Sequence, residues 1–207
     1  MNAIHGHCEV TPYNTETHLC DSRNSTIYPF VTIGDQVWMA KNLNYDVPSD
    51  TIDRCYDNCT IYGRLYNWAT AMTNSASSNA NPSRVRGVCP SGWHLPSHAE
   101  WTTLTSYVET NGGCTKCAGT KLKAKSGWNK NGTDDFGFSA LPGGYADLDS
   151  VGIFRNSGSY GFWLSSTEHT TTANAYRSYM HNDSSNVVIN GGSKKRLYSV
   201  RCVKDSP

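Results

Sequence analysis

Apolar positions follow one rhythm in the first half of the chain and another in the second. Tyr28 to Ile33 alternates and is rich in β-formers, Gly34-Asp35 supplies a turn, and Gln36 to Lys41 resumes the alternation, which predicts a hairpin. Tyr62–Met72 switches to helical spacing, with Leu65, Trp68, Ala69 and Met72 on one face. Residues 73–87 are rich in Ser, Asn and Ala and read as loop. Ser97-His98-Ala99-Glu100 then forms a capping-box pattern, in which Ser97 and Glu100 satisfy backbone donors that a helix start leaves unpaired. The helix it opens runs to about Glu109, buries Trp101, Leu104 and Val108, and stops at Asn111-Gly112-Gly113.

Beyond Cys114 the pattern becomes short strands and polar loops. Phe136–Tyr145 reads as a strand ending in a turn, and Phe162–Leu164, Ala175–Met180, Val187–Ile189 and Leu197–Val203 read as further strands. Thr170-Thr-Thr, Asn182-Asp-Ser-Ser and Gly191-Gly192-Ser193 separate them. Two helices followed by a β meander predict an α+β domain over residues 26–207. Residues 1–25 are polar and read as a disulfide-stapled lead-in or tether. No repeat of solenoid length is present.

Cysteine spacing changes the picture most. Of eight cysteines, six fall in close pairs: Cys8/Cys20, Cys55/Cys59 and Cys114/Cys117. Cys89 and Cys202 remain, far apart. The arrangement suggests three local staples and one long clasp, and so an oxidising compartment. Loop-entropy arguments make such a clasp worth about 4–5 kcal/mol. Spacing alone leaves the connectivity open, and a zinc site from Cys55, Cys59, Cys114 and Cys117 is the rival reading. The net charge of +1 gives no bulk attraction for nucleic acid or an anionic membrane. No apolar run approaches the roughly 18 residues of a membrane span. The opening residues lack the basic and apolar regions of an export signal, so a mature fragment with its native N-terminus missing is expected.

Seven stretches, in order, then point to a family. They are VTIGDQVWMAKNLNYD (31–46), YGRLYNWATAM (62–72), GVCPSGWHLPSHAEWTTL (87–104), GTKLKAKSGWN (119–129), DDFGFSALPGGY (134–145), FWLSSTE (162–168) and SVRCVKD (199–205). Together they resemble the Fibrobacter succinogenes major paralogous domain (FISUMP), over roughly residues 26–205. The resemblance implies a secreted or surface-exposed bacterial protein with a C-type-lectin-like fold: two helices packed on an antiparallel sheet with long polar loops. It also places Cys89 and Cys202 at paired motif positions. The Cys114/Cys117 insertion and the long polar stretch 169–196 depart from the family pattern.

The leading candidate site is the late segment holding Trp163, Tyr176, Arg177, Tyr179, His181, Asn182, Asn186, Asn190, Lys194, Arg196 and Tyr198. Tyr and Trp give rigid contact area, and Asn and Ser give adaptable hydrogen bonds, a mixture suited to binding. Trp163 also reads as core. Asp134 and Asp135, in a Gly-containing loop of oxygen donors, are weak candidates for calcium, and capping of a turn is their alternative role. Trp128, in a loop beside Gly127 and Asn129, is a candidate to stack on a sugar ring, with a core position like that of Trp38, Trp68, Trp93 and Trp101 as its alternative.

Catalysis finds little support. The histidines are dispersed, His94 and His98 lack metalloprotease spacing, and His94 reads as a packed structural residue. Cys114-x-x-Cys117 lacks a thioredoxin-like context. The sequence therefore predicts a non-catalytic, adhesin-like recognition module, without a cofactor unless calcium binds. Its partner would be a glycan or protein on another cell surface. The alternative is a structural subunit or tip domain, joined to a fibre stalk or to sister chains.

Overall fold

The computed structural model describes residues 8, 14–48, 54–55, 59–148 and 153–206. Most of the lead-in before Asn14 therefore lies outside the described residues. In chain order the elements are β1 (His18–Asp21), β2 (Thr26–Ile33), β3 (Gln36–Met39), β4 (Arg54–Cys55), β5 (Arg64–Tyr66) and α1 (Trp68–Met72). Then come β6 (Trp93–His94), α2 (His98–Asn111), α3 (Ala118–Leu122), β7 (Tyr145–Ala146) and β8 (Phe154–Arg155). The last are β9 (Tyr160–Glu168), β10 (Asn174–His181), β11 (Val187–Ser193), β12 (Tyr198–Ser199) and β13 (Val203–Lys204). The fold is mixed α+β.

One five-stranded sheet has the order β1-β2-β3-β13-β6, one six-stranded sheet has the order β11-β10-β9-β12-β5-β4, and β7-β8 is a separate pair. The segment 198–204 joins the two larger sheets. Its β12 lies between β9 and β5, and its β13 lies between β3 and β6. Consecutive strand residues point to opposite faces, so β9 feeds a core on each side of the six-stranded sheet. Phe162 and Leu164 join Met39, Tyr66 and Tyr198 on one side. Trp163 joins Trp38, Trp101, Phe138 and Met180 on the other.

The capping box at α2 is present: Ser97 Oγ accepts from the Glu100 N–H at 3.0 Å, and Glu100 Oε2 accepts from the Ser97 N–H at 2.9 Å. Trp101, Leu104 and Val108 are fully buried, and burial of Leu104 or Val108 contributes roughly 1.5–3 kcal/mol each. All four cysteine pairs are disulfide-bonded: Cys8–Cys20, Cys55–Cys59, Cys89–Cys202 and Cys114–Cys117. A zinc site built from those thiols is thereby excluded.

Arg201 is the deepest charge. It is fully buried, donates from Nε and Nη2 to Asn42 Oδ1 at 3.1 and 2.8 Å, and donates to the carbonyls of Phe138 and Ser139. Burial pushes its pKa down to about 9, with Asp134 acting in the opposite direction. Asn42 Oδ1 also accepts from Trp163 Nε1 at 2.9 Å, tying the joining segment to β9.

Three elements differ from the sequence expectation. The helix expected over Tyr62–Met72 begins only at Trp68. Gly63 sits at φ +71°, Arg64–Tyr66 pairs with β12, and Asn67 caps a new helix by accepting from the Thr70 N–H. The strand expected over Phe136–Tyr145 is mostly loop, because Asp134, Gly137 and Ser139 all have positive φ. Leu197–Val203 divides into β12 and β13, one in each sheet. The short helix α3 is not evident from spacing at all.

Candidate functional site

On β10, Arg177, Tyr179 and His181 alternate onto one face of the sheet. Cross-strand register sets Tyr179 opposite Phe162, His181 opposite Tyr160, and Arg177 opposite Asn190 of β11. Tyr160 stacks on Phe162 at 5.5 Å between ring centroids and on His181 at 4.2 Å. Tyr145, Tyr179 and Tyr198 each approach Phe162 at 5.5–5.6 Å. Phe162 and Tyr198 are buried, while Tyr145, Tyr160, Tyr179 and His181 remain half-buried. The result is an aromatic platform with a sealed base and an accessible upper surface.

Arg177 lies across this platform. Its guanidinium carbon is 4.5 Å from the Phe162 ring centroid and 5.2 Å from those of Tyr179 and Tyr198. Arg196 lies 4.8 Å over Tyr145. Cations over ring faces are attracted by the aromatic quadrupole. Burial lowers the Arg177 pKa and raises that of Tyr198; nearby Tyr198 and Tyr179 favour the Arg177 charge, while Arg177 and Arg196 favour Tyr198 ionisation. Gly192 on β11 gives Arg177 its room, whereas the neighbouring Gly191 borders His169 on the other face. A Cβ at Gly192 would meet Arg177 Nε at 2.2 Å.

Beside the platform opens a cleft of about 560 Å³, lined in part by Asp147, Asn174, Arg177, Ser193, Lys195 and Arg196. This falls in the usual size range of small-ligand sites. Asp147 is engaged by Arg155 at 3.0 Å and Arg196 at 2.9 Å.

Of the sequence candidates, Arg177, Tyr179, His181, Asn190 and Arg196 thus come together. Trp163 and Tyr198 do not meet solvent: Trp163 points into the opposite core, and Tyr198 forms part of the platform's base. Tyr176 projects to the other face, between His98 at 4.3 Å and His169 at 4.8 Å. Lys194 pairs with Glu168 and lies 4.3 Å over Trp68. Asn182 and Asn186 sit in the β10–β11 connection. There the Lys123 ammonium donates to the carbonyls of His181, Asn182 and Ser184 at 3.0–3.4 Å. Spacing did not single out Tyr145, Tyr160 or Asp147. Tyr160 and Phe162, two residues apart in a strand, were the available signal.

The calcium expectation meets different geometry. Both Asp134 oxygens are taken by Ser139, from its N–H at 2.7 Å and its hydroxyl at 2.6 Å. Asp135 pairs with Lys121 at 2.6 Å, which holds its carboxyl below the usual range. Among the described residues, no group of three or more His, Cys, Asp or Glu side chains is arranged to hold a metal ion. Trp128 is buried and donates from Nε1 to the Ala140 carbonyl at 2.8 Å, so it offers no face to a sugar.

His94 is enclosed between two carboxylates. Its Nε2 is 2.7 Å from Glu100 Oε1 and its Nδ1 is 2.7 Å from Asp205 Oδ1. Burial opposes its charge, but the hydrogen bonds and charges of Glu100 and Asp205 outweigh this and raise its pKa above 6.5. The neighbouring hydroxyls are committed elsewhere: Ser83 Oγ donates to the Leu95 carbonyl, and Ser97 Oγ caps α2. With both ring nitrogens occupied, this imidazole is a structural tie and not a base poised on a nucleophile.

These features define a disulfide-stapled α+β domain carrying an open aromatic and arginine face. The chain belongs to the Fibrobacter succinogenes major domain family, whose model matches residues 31–204. No curated protein and no solved structure matches it. Among the described residues, no helix is long and apolar enough to cross a membrane.

Proposed function

We propose that this chain is an extracellular, C-type-lectin-like recognition module that binds a glycan through the β9–β10–β11 face and performs no catalysis. The observation that carries the reading is the platform itself. Tyr145, Tyr160, Tyr179 and His181 are held by a buried base yet half open to solvent, beside a cleft lined by cations. Rigid aromatics of this kind supply contact area at small entropic cost. Four disulfides support an oxidising, extracellular setting. The test is binding of the oxidised protein to a broad glycan array, with and without calcium. Tyr179→Ala combined with His181→Ala should abolish binding and preserve cooperative unfolding. A blank array would reject the glycan reading, and retained binding by the double variant would reject this face.

A second reading, as a structural subunit of a surface assembly, draws support from β11, which lies at the edge of its sheet. Light scattering of the purified chain separates the two readings: a stable oligomer favours assembly, and a monomer favours recognition.

A further inference from the structure

The geometry points to the Arg177 cleft as an anchor for the acidic group of a sugar, a ring-borne carboxylate or sulfate, with the ring itself laid against the neighbouring tyrosines. This rests on the reading of the β9–β10–β11 face as a glycan-recognition surface, and it adds the chemistry of the ligand.

Arginine usage within the molecule is the first ground. Arg23, Arg64, Arg155 and Arg196 each pair with an aspartate, and the buried Arg201 is satisfied by Asn42 and backbone carbonyls. Among the described residues, Arg177 has aromatic rings below it and no hydrogen-bond acceptor. Its Nε and Nη1 are buried without a partner. A guanidinium carries several N–H donors and no acceptor, and an unpaired buried donor costs about 1–3 kcal/mol. An oxyanion arriving in the cleft that Arg177 lines would give this otherwise unpaired guanidinium a charge-assisted hydrogen bond.

Local charge is the second ground. Among the described residues, Arg177, Lys195 and Arg196 line the cleft with one carboxylate, Asp147, which Arg196 and the adjacent Arg155 already neutralise. The described lining of the cleft therefore has a positive excess although the chain as a whole is close to neutral. The third ground is the lining. Asn174, Ser193 and the nearby Asn190 offer hydroxyl-matching polar groups, and the tyrosines offer ring faces. This combination suits a pyranose with one acidic substituent. Gly192 keeps the position open, because a side chain there would displace Arg177.

The experiment is calorimetric titration of the oxidised full chain with polygalacturonate, its fully methyl-esterified form, dextran sulfate, neutral dextran and polyglutamate. Binding to polygalacturonate, to dextran sulfate or to both is expected, and the two polymers distinguish carboxylate from sulfate recognition. The methyl ester and neutral dextran should not bind. Arg177→Gln and Gly192→Ala should each weaken binding about tenfold or more. Arg84→Gln, an exposed arginine outside the cleft, should leave it unchanged. The wild-type comparison of acid with methyl ester stands even if a variant misfolds. Equal binding of acid and ester, or full binding by a folded Arg177→Gln protein, would overturn the anionic anchor. If that binding still needed Tyr179 and His181, the recognition face itself would survive. Polyglutamate binding as tightly as polygalacturonate would overturn the sugar assignment, and no binding in any arm would overturn the anchor for these acidic groups.

Discussion

Replacing His94 with Leu tests the buried tie between α2 and the C-terminal segment. Glu100 is 1% exposed, and its carboxylate balances the His94 imidazolium against the donors of Ser83 and Ser97. Removing the imidazole leaves that carboxylate with two backbone donors and no counter-charge. Breaking one side of a buried pair typically costs about 3–5 kcal/mol. The Asp205 side adds little, because that carboxylate is 52% exposed and is screened by solvent. The sign with pH follows from the raised His94 pKa. The stabilisation is complete below 6.5 and is lost as pH rises through the higher folded value. Urea denaturation of the oxidised protein at a series of pH values from about 6 to 9 reads both quantities. The wild type should lose stability across that range relative to His94→Leu, so the gap between them narrows as pH rises. Adding Glu100→Gln should recover part of the loss at low pH. A loss below about 1 kcal/mol for His94→Leu, or a gap independent of pH, would refute the charged tie.

Two further perturbations separate the structural devices. Replacing Cys89 and Cys202 with Ala opens a loop of 113 residues and should cost about 5 kcal/mol, against about 2 kcal/mol for the three-residue separation of Cys114 and Cys117. Equal urea midpoints for the two double variants would contradict the loop-length argument. Lys123→Met removes the ammonium that gathers three carbonyls and should cost about 1.5–3 kcal/mol. Hydrogen exchange should accelerate at the Asn182 and Thr120 amides, which bond to Ser159 and Ser185 across that loop, and unchanged protection would show that the loop is organised without Lys123.

Legibility of the fold in the sequence tracked how local the cause was. The β2–β3 hairpin and the capped α2 are encoded within a few adjacent residues, and both form as their patterns predict. The stretch 62–72 shows the limit. Its helical spacing is real, but pairing of Leu65 and Tyr66 with β12, more than a hundred residues away, overrides it. Asp134 likewise folds the 134–139 loop through Ser139, which apolar alternation does not register. At the candidate site, composition drew attention to Arg177, Tyr179 and His181. The alternation of β10 explains why Tyr176 is not with them. The contributions of Tyr145 and Asp147 depend on chain returning from outside the β meander, so no local pattern announces them.

The joining segment 198–204 also fixes the order in which the molecule can be completed. Until it emerges, the five-stranded sheet lacks β13 between β3 and β6, and β9 and β5 have nothing between them. At synthesis rates of about 5–20 residues per second, Cys89 would wait roughly 6–23 s for Cys202. During that interval the six other cysteines emerge ahead of its own partner and are available for exchange with its thiol. Maturation of this chain should therefore hinge on thiol reshuffling at the end of its emergence, and depend on whatever isomerase its compartment provides.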